Sequence, residues 1–490
     1  MTAAAHHETR SLSRRVAGQG AMLLTGGIAA QLVAFARNAL LAYGLAKGEF
    51  GIAVAILLAL QLIESMMELP AERFIVQADD GADARILANS HAILIVRGLA
   101  TGLLLYVASA WIADFFLIPA AAPAFAAMAI VPVIKGLQHL DQRRRQRSLD
   151  NRASLAVELI PQMVALALTW PLLQISGSYE VVVWLGIAQA LTQVAVSHLV
   201  AGTYYRLRFD PAIATRIARF GWPVLASAWP HAATYHGERV IIGRWLGMEA
   251  LAGYSVAFLL TSAAGLIAAR IGQALVLPLL AAAKDDAALF ARRFTGMLEM
   301  HVIAAAVFAT VTIAGGNAVM RIFFGKQYWA YGVVLGWLAV LWAIRIVQSV
   351  PSLALMAQGH TAAFFWATLL RATAVGPVLV AATQGAGIET IVGIAIVGEC
   401  ASLLVYLAAL RDKPALLRAC LPRMAWVLAA IVIAGLMPTM PNTLTGLALA
   451  SSLGLVTALA GIIVMPQTRA IALRTLVMGR GRLRPAHQSP

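Results

Sequence analysis

Polar and charged side chains recur at helical spacing inside long apolar segments of this 490-residue chain. Segment 50–76 carries five of them, and their spacing places all five on one face of a helix: Gln61, Glu64, Ser65, Glu68 and Glu72. A charge at the centre of a bilayer costs about 3 kcal/mol on insertion scales, so such a stripe needs a polar neighbour. We interpret it as one wall of a hydrated cavity. The alternative is a set of interhelical hydrogen bonds and ion pairs that only hold the bundle together.

Two later apolar segments carry comparable stripes. The first, 219–245, has five polar residues on one face, and the second, 250–281, has two polar residues one turn apart: His231, Thr234, Tyr235, Glu238 and Arg239, and then Arg270 and Gln273. Arginine at such positions favours an anionic ligand, because a guanidinium stays ionised and forms two charge-assisted hydrogen bonds. The residues that we predict to contact a ligand are Arg37, Arg239, Arg270, Glu64, Glu68, His231, Tyr235 and Glu238.

Other ionisable residues in the apolar segments have simpler interpretations. Lys135, Glu158 and Glu299 lie near the predicted inner ends of their segments, where long side chains extend toward the lipid headgroups. Arg371 and Glu399 lie deeper, and we expect them to pair with each other.

Catalytic and metal-binding patterns do not occur in the sequence. There is no P-loop, and the loops between apolar segments are too short to form a soluble domain. The pair His6-His7 and the isolated His301 lack the ligand spacing of a metal site, and Cys400 and Cys420 give no disulfide framework. We therefore predict that the protein is not an enzyme and that it needs no cofactor and no metal.

The elements that position these side chains are predicted to be membrane-spanning helices. The chain is 61% hydrophobic and 12% charged, whereas soluble proteins carry about 25% charged residues. Apolar runs long enough to span a bilayer lie at 16–42, 50–76, 88–112, 119–139, 153–174, 180–204, 219–245, 250–281, 295–320, 331–358, 361–383, 388–410, 425–438 and 443–466. The prediction is an all-α, polytopic membrane protein with about fourteen transmembrane helices. The run 425–438 is short and must recruit residues from Pro422 or Thr439.

The distribution of positive charge predicts the orientation. Most of the 37 lysines and arginines fall in alternate loops and at both ends of the chain, which the positive-inside rule assigns to the cytoplasm. The predicted outer segments hold Lys47, Arg244, Arg321 and Lys326. We therefore predict a multi-pass protein of the bacterial inner membrane with both termini in the cytoplasm. The net charge of +15 comes from short clusters and from no single basic domain, which disfavours nucleic acid as a partner.

A weak internal repeat divides the chain into halves. A shift of 202 residues aligns Arg37–Leu58 with Arg239–Leu260 without gaps, and six of the 22 positions match. Six spans separate the copies, so both have the same orientation, as in a parallel repeat. We expect two six-helix lobes plus two C-terminal helices. The predicted domains are a cytoplasmic N-terminal tail 1–15, an N-lobe 16–205, a cytoplasmic linker 206–218, a C-lobe 219–410, two additional spans 411–466 and a basic cytoplasmic tail 467–490.

The aligned stretches resemble a known family. They are Arg37 to Ala42 with Glu49-Phe50-Gly51, and Glu238 to Arg244 with Ala252-Gly253-Tyr254-Ser255-Val256. They are similar to the polysaccharide-repeat-unit (Wzx-type, lipid-linked oligosaccharide) flippases of the multidrug/oligosaccharidyl-lipid/polysaccharide exporter superfamily. In that family a first span ending in a basic residue precedes a short loop and a Phe-Gly or Tyr-Gly start to the second span.

The resemblance implies inverted-V lobes that work by alternating access. The implied activity is export of undecaprenyl-pyrophosphate-linked oligosaccharide for exopolysaccharide, capsule or O-antigen (lipopolysaccharide) synthesis. The implied partners are this lipid-linked substrate, membrane lipids and other polysaccharide-assembly proteins. No binding motif of the family matches residue by residue, so the candidate site residues rest on the polar stripes alone.

Two other functions stay open at this point. A cation-coupled multidrug exporter of the same fold needs an acidic or aromatic cavity, whereas the candidate residues mix four arginines with three glutamates: Arg37, Arg97, Arg239 and Arg270, with Glu64, Glu68 and Glu238. This mixture favours an anionic substrate. A membrane enzyme of lipid-linked glycan assembly is disfavoured, because no long outer loop is present.

The predicted orientation has a direct test. We expect single cysteines placed within Arg143–Arg147, at Arg292 or within Arg480–Arg484 to be protected from a membrane-impermeant maleimide in intact spheroplasts, because these clusters face the cytoplasm. A cysteine at Lys326 is the outward-facing control. Labelling that places the two termini on opposite sides of the membrane would contradict the fourteen-span topology.

Overall fold

The computed structural model describes residues 3–67, 70–438 and 440–473. Over these ranges the chain forms α-helices joined by short turns, with no strand among them. The helices are α1 (Ala3–Gly44), α2 (Lys47–Met66), α3 (Ala71–Gln77), α4 (Ala84–Phe115), α5 (Ala122–Met128), α6 (Ile130–Lys135), α7 (Asp141–Gln146), α8 (Arg152–Ser176), α9 (Val181–Leu199), α10 (Pro211–Ile241), α11 (Met248–Ile271), α12 (Leu277–Ala281), α13 (Ala287–Phe324), α14 (Gly332–Ala357), α15 (Ala362–Thr373), α16 (Val375–Thr383), α17 (Ile388–Ala409), α18 (Pro414–Leu436) and α19 (Leu444–Val464).

Within the described ranges, 11 helical segments are long and apolar enough to cross a membrane. The other three predicted spans are also helical: α1, the shorter apolar helix Pro119–Lys135, and α10. α10 carries charged residues such as Glu238 and Arg239 among its apolar ones, which lowers its mean hydropathy. Each predicted span therefore coincides with a helix, and the prediction of an all-α, multi-pass membrane protein is confirmed.

Several predicted boundaries differ from the structure, and two of the differences bear on the predicted spans. The short run 425–438 forms only the later part of the 23-residue helix α18, which begins at Pro414 and so is extended on the N-terminal side. Proline suits this first turn, since its missing N–H needs no partner there. The run 50–76 is interrupted, because α2 ends at Met66 and α3 begins only after Pro70. The predicted tail 467–490 lies outside the described residues from position 474 onward.

The described helices form two compact units. The first unit comprises the chain to Val256 and the segment Val375–Ile388. The second unit comprises Ala257–Ala374 and the chain from Glu389 onward.

In the first unit, α3 packs against α4 and α10 through an apolar core that includes Phe74, Ile75 and Ile217. The ring of Phe74 meets the ring of Phe220 edge-on, with centroids 5.5 Å apart. Arg216 of α10 lies over the same Phe74 ring and pairs with Asp80 at 2.9 Å. Residues on α3 and α10 are therefore held at defined positions relative to each other.

Two buried ion clusters hold the second unit together. Glu399 of α17, only 1% exposed, pairs with Arg345 of α14 at 2.6 Å and with Arg371 of α15 at 3.1 Å. The predicted pairing of Arg371 with Glu399 is confirmed, and Arg345 is a further partner. In the other cluster Glu299 of α13 accepts a hydrogen bond from Arg423 of α18 at 2.6 Å.

The expectation that Glu299 extends toward the headgroups is therefore wrong. Its side chain is fully buried, and it also accepts hydrogen bonds from the backbone N–H and the hydroxyl of Thr468. A carboxylate with these partners is stabilised inside the bundle, because the protein donors replace the hydrogen bonds that it would form with water.

Two glycines permit close backbone contacts in the first unit. A Cβ added at Gly51, the glycine of the Phe-Gly pair, would lie 2.0 Å from the carbonyl oxygen of Met248. A Cβ added at Gly98 would lie 2.5 Å from the carbonyl oxygen of Pro132, so α4 packs directly on α6. Gly98 thereby fixes the position of the helix that ends at Lys135.

We expect Gly98→Ala to destabilise the protein by about 1–3 kcal/mol, because overpacking against a backbone carbonyl forces α4 and α6 apart. The measurement is the thermal unfolding midpoint of the purified protein in detergent. Gly48→Ala is the matched control, since a Cβ at Gly48 has no atom within 4 Å and alanine is the better helix former. Equal midpoints for the two variants would show that the close approach at Gly98 does not matter.

Candidate functional site

A polar cavity of about 760 Å³ lies within the first unit. Its described lining comes from seven helices and two loops. The residues are Gln61, Glu64 and Ser65 of α2; Pro70 of the loop before α3; Glu72, Arg73, Val76 and Gln77 of α3; Arg97 of α4; Lys135 of α6; Gln138 of the loop after α6; Arg143 and Gln146 of α7; Gln193 of α9; and His231 and His236 of α10. The volume suits a small-molecule site, for which about 300–1,000 Å³ is usual. We call this space the polar cavity.

The polar stripe predicted on segment 50–76 faces the polar cavity. Gln61, Glu64 and Ser65 follow one another along α2, and Glu72 continues the stripe on α3. The fifth member, Glu68, lies outside the described residues. The four members that the structure describes therefore line a cavity, and two of them, Glu64 and Glu72, also form interhelical ion pairs, as the alternative interpretation expects.

Two ion pairs cross the polar cavity wall. The ammonium of Lys135 lies 3.0 Å from one carboxylate oxygen of Glu64 and 3.3 Å from the other. The guanidinium of Arg143 lies 2.7 Å from Glu72. The expectation that Lys135 extends toward the headgroups is wrong, because the close packing of α6 on α4 turns this lysine toward the carboxylate of α2.

The polar cavity carries a surplus of positive charge. Among the described lining residues there are four bases, Arg73, Arg97, Lys135 and Arg143, and two acids, Glu64 and Glu72. With neutral histidines these residues carry a net charge of 4 − 2 = +2. Among the described residues, Arg97 has no acidic partner, whereas both glutamates are paired with bases. The site therefore favours an anion over a cation.

Amide side chains form the other main group in the lining: Gln61, Gln77, Gln138, Gln146 and Gln193. Gln193 donates to the amide oxygen of Gln138 at 3.1 Å, and Gln146 accepts from Arg143 at 3.3 Å. An amide both donates and accepts hydrogen bonds, which matches the dual character of a hydroxyl group. Hydroxyl-rich ligands such as sugars suit a wall of this composition.

The structure brings only some of the predicted site residues together. Glu64 and His231 line the polar cavity, and so does Arg97, which was named as a cavity candidate. Arg37 instead donates to the side-chain oxygen of Gln189 at 2.6 Å. Arg270 ends α11 in the second unit and is exposed.

Several side chains on the polar face of α10 contact other residues of α10 or of α11. Arg239 donates to His236 Nδ1 at 2.6 Å and to the carbonyl oxygen of Tyr235 at 3.3 Å. Glu238 accepts from the hydroxyl of Tyr254, and the ring of Tyr235 contacts that of His231. The arginines that the repeat aligns, Arg37 and Arg239, therefore have different partners.

Several lining residues were not predicted, in particular Lys135, Arg143 and Gln193. Arg143 belongs to the run Arg143-Arg144-Arg145, which by sequence indicates only a cytoplasmic loop. Gln193 is an isolated polar residue in an apolar helix. A polar residue in a span was the only signal available for Gln193, and no local pattern could show that Arg143 turns toward Glu72.

Comparison with known proteins places these features in context. The model of a family described as polysaccharide biosynthesis protein matches residues 40–335, a range that includes the whole lining of the polar cavity. The teichuronic acid biosynthesis protein TuaB of Bacillus subtilis (strain 168) is 22% identical over 302 residues. That match covers 60% of this chain and 61% of TuaB, less than two thirds of the relative's length.

Two solved structures share the fold. The lipid II flippase MurJ in an inward closed conformation superposes with a TM-score of 0.70 at 12% identity, covering 93% of this chain and 100% of that chain. An inward-facing multidrug resistance MATE family transporter of the MOP superfamily gives a TM-score of 0.63 at 11% identity, covering 82% and 95%. The chain thus shares its fold with a flippase and with a transporter.

The ion pair between Glu64 and Lys135 should be measurable as a coupling energy. We expect a double-mutant cycle of Glu64→Gln and Lys135→Gln to give about 0.5–1 kcal/mol, since each side chain is about one third exposed and water weakens the pair. Thermal unfolding of the purified variants provides the free energies. The pair Arg411–Asp412, at least 80% exposed on both sides, is the matched control with an expected coupling near zero. Additive effects in both cycles would contradict a structured pair at the cavity.

Proposed function

This chain belongs to the polysaccharide biosynthesis protein family, and from that membership we propose that it is a flippase for undecaprenyl-pyrophosphate-linked oligosaccharide. It moves this substrate across the bacterial inner membrane by alternating access and serves exopolysaccharide, capsule or O-antigen synthesis. The observation that carries the proposal is the composition of the polar cavity, which combines surplus positive charge, paired carboxylates and five glutamines.

The chemistry of the substrate matches this lining. A pyrophosphate diester is a dianion at neutral pH, and the surplus of bases among the described lining residues, Arg97 in particular, attracts it. The fork of Arg97 binds phosphate oxygens through two parallel charge-assisted hydrogen bonds. The glutamines bind sugar hydroxyls, which need both donors and acceptors. Because a cavity wall excludes much of the bulk water, each of these interactions is stronger than on an open surface.

The alternative, a cation-coupled multidrug exporter of the same fold, fits the polar cavity less well. An organic cation needs an unpaired carboxylate or an aromatic face. Glu64 and Glu72 already pair with Lys135 and Arg143. Among the described lining residues there is no Phe, Tyr or Trp. An enzyme of lipid-linked glycan assembly is less favoured still, since the matching fold is that of transporters.

We also propose that the chain is divided into lobes 16–205 and 219–410 and that both termini lie in the cytoplasm. The proposed partners include other polysaccharide-assembly proteins. The charge asymmetry of the loops supports the orientation. Arg37, Arg239 and Arg270, with Glu68, Tyr235 and Glu238, are proposed as further contacts that the substrate meets along its path.

Arg97 provides the sharpest test of the flippase function. We expect Arg97→Gln to lower the rate of flipping of a defined lipid-linked oligosaccharide in proteoliposomes by about 10–100-fold, since a charge-assisted hydrogen bond contributes about 1.5–3 kcal/mol. Arg97→Lys should keep part of the activity, because it retains the charge and loses the fork. Arg152→Gln is the matched control: Arg152 is exposed and lies outside the polar cavity.

Export of polysaccharide in a flippase-null strain is the second readout, with the amount of folded protein checked for every variant. If Arg97→Gln flips the substrate at the wild-type rate, the polar cavity does not take part in transport as proposed. Normal export by the triple variant Arg37→Ala, Arg239→Ala and Arg270→Ala would remove the three predicted arginines from it. Drug resistance without polysaccharide export would favour the multidrug exporter.

A further inference from the structure

The segment 201–210 between α9 and α10, which we call the connector, is extended and held at several backbone points. The carbonyl oxygen of Thr203 contacts His139 Nε2 at 3.0 Å, and that of Arg206 contacts His91 Nδ1 at 3.0 Å. The N–H of Arg208 donates to the carbonyl oxygen of Ala88 at 3.3 Å. A short loop without helix or sheet is thereby fixed to α4 and to the loop before α7.

The two histidines hold the connector as neutral imidazoles. His139 Nδ1 accepts from the N–H of Asp141 at 3.1 Å, so its Nε2 must carry the proton that meets Thr203. His91 Nε2 accepts from the N–H of Leu140 at 3.1 Å, which leaves its Nδ1 as the donor. Burial lowers the pKa of His139, which favours the neutral form that this arrangement needs.

Tyr205 points inward and completes the attachment. Its ring stacks on the ring of His91 with centroids 4.4 Å apart, and it contacts the rings of His139 and His198. Because Tyr205 takes the inward position, Tyr204 and Arg206 on either side of it are turned outward. The connector therefore presents a fixed outer face.

That outer face combines aromatic, aliphatic and basic side chains. Tyr204 is 85% exposed, Leu207 57% and Phe209 66%, and Arg206 and Arg208 are exposed as well. Such a rigid apolar surface is unfavourable against water, but it suits the boundary of a bilayer, where aromatic rings sit at headgroup level. Since the connector joins a membrane span to α10, it lies at this boundary.

The charges around the connector leave its arginines available. Burial by itself would raise the pKa of the Asp141 carboxyl, but hydrogen bonds from Arg144 and from the N–H of Gly202 lower it below its usual value. Asp141 is thus an anion already satisfied by these donors. In the part of the chain that the structure describes, neither Arg206 nor Arg208 has an acidic partner.

A second cavity of about 320 Å³ opens beside the connector. Its lining includes Arg144, Arg206, Thr203 and Tyr204 together with the first turns of α4. Arg206 and the terminal N–H groups of Arg144 supply donors for an anion, whereas the Thr203 hydroxyl already donates to Asp141 at 3.1 Å. Tyr204 supplies an apolar edge. This cavity is separate in its lining from the polar cavity.

We propose that the connector and its cavity bind the headgroup of an anionic phospholipid. Arg206 and Arg208 attract the phosphate, and Tyr204, Leu207 and Phe209 lie against the glycerol and the upper acyl chains. The ligand is a structural lipid of the leaflet that the connector faces, and its site does not depend on the transported substrate.

Native mass spectrometry of the full-length protein, titrated with phosphatidylglycerol or phosphatidylcholine, tests the proposal. We expect wild type to retain phosphatidylglycerol in preference, and Arg206→Gln/Arg208→Gln to weaken its retention at least about fivefold, as loss of a charge-assisted contact predicts. Arg206→Lys/Arg208→Lys should retain most of the binding. The control Arg152→Gln/Arg292→Gln removes the same charge from two other exposed arginines and should bind as wild type does.

Three results would overturn the proposal. They are equal retention of the two lipids, unchanged binding by Arg206→Gln/Arg208→Gln, and an equal loss in the control variant. Displacement of phosphatidylglycerol by an equal concentration of glycerol 3-phosphate would also overturn it, since the site would then recognise a soluble phosphate. If the double glutamine variant does not purify as a monodisperse protein, Tyr204→Ser/Phe209→Ser takes its place and should lower retention of phosphatidylglycerol by a similar factor.

Discussion

A carboxylate inside a membrane-spanning helix is stable only when a cation or several donors replace the water that it has lost. Among the described residues, Glu64 meets that requirement with Lys135, Glu299 with Arg423, and Glu399 with Arg345 and Arg371. Each pairing joins helices that are not consecutive in the sequence. The packing of both units is therefore tied to the position of a few charges, since removing one partner leaves the other uncompensated.

The three glutamates differ in how much water reaches them. This difference distinguishes an ion pair that only holds helices together from one that can also contact a ligand. Glu299 and Glu399 are buried, and their partners are at most 14% exposed. Glu64 and Lys135 keep about a third of their surface and face the polar cavity. A buried pair holds helices in place, whereas a half-exposed pair can also exchange partners with a ligand. The second situation suits the proposed transport of an anionic substrate, because binding must be reversible.

On the connector, two neutral histidines fix the backbone in place, as the ion pairs fix the helices. His91 and His139 each accept one backbone N–H and donate to one backbone carbonyl, which only an uncharged imidazole can do. Charged groups around them are satisfied by one another, as Asp141 is by Arg144. The result is a loop whose backbone is fixed from inside while its arginines and aromatic rings are presented outward. Fixing such a loop limits the entropy lost when a ligand binds.

The sequence alone determined the class of protein, the helices and the helix face that lines the polar cavity. Apolar runs of spanning length must be helical, because a bilayer leaves no other partner for the backbone. A polar stripe such as Gln61, Glu64 and Ser65 must avoid lipid, so its face was predictable as well. The pairing of Arg371 with Glu399 was predictable because each lay deep in a span and needed a partner.

Only the tertiary structure decided which residues meet that stripe. Lys135 lies 71 residues from Glu64, and Arg143 lies 71 residues from Glu72, so both contacts depend on how α6 and α7 pack against earlier helices. That packing follows from close approaches such as Gly98 on Pro132, which no local pattern of charge encodes. The partners of Arg37 and Arg239 were likewise not predictable from the sequence. The internal repeat aligns these two arginines, yet Arg37 donates to Gln189 and Arg239 donates to His236, because their neighbouring helices differ.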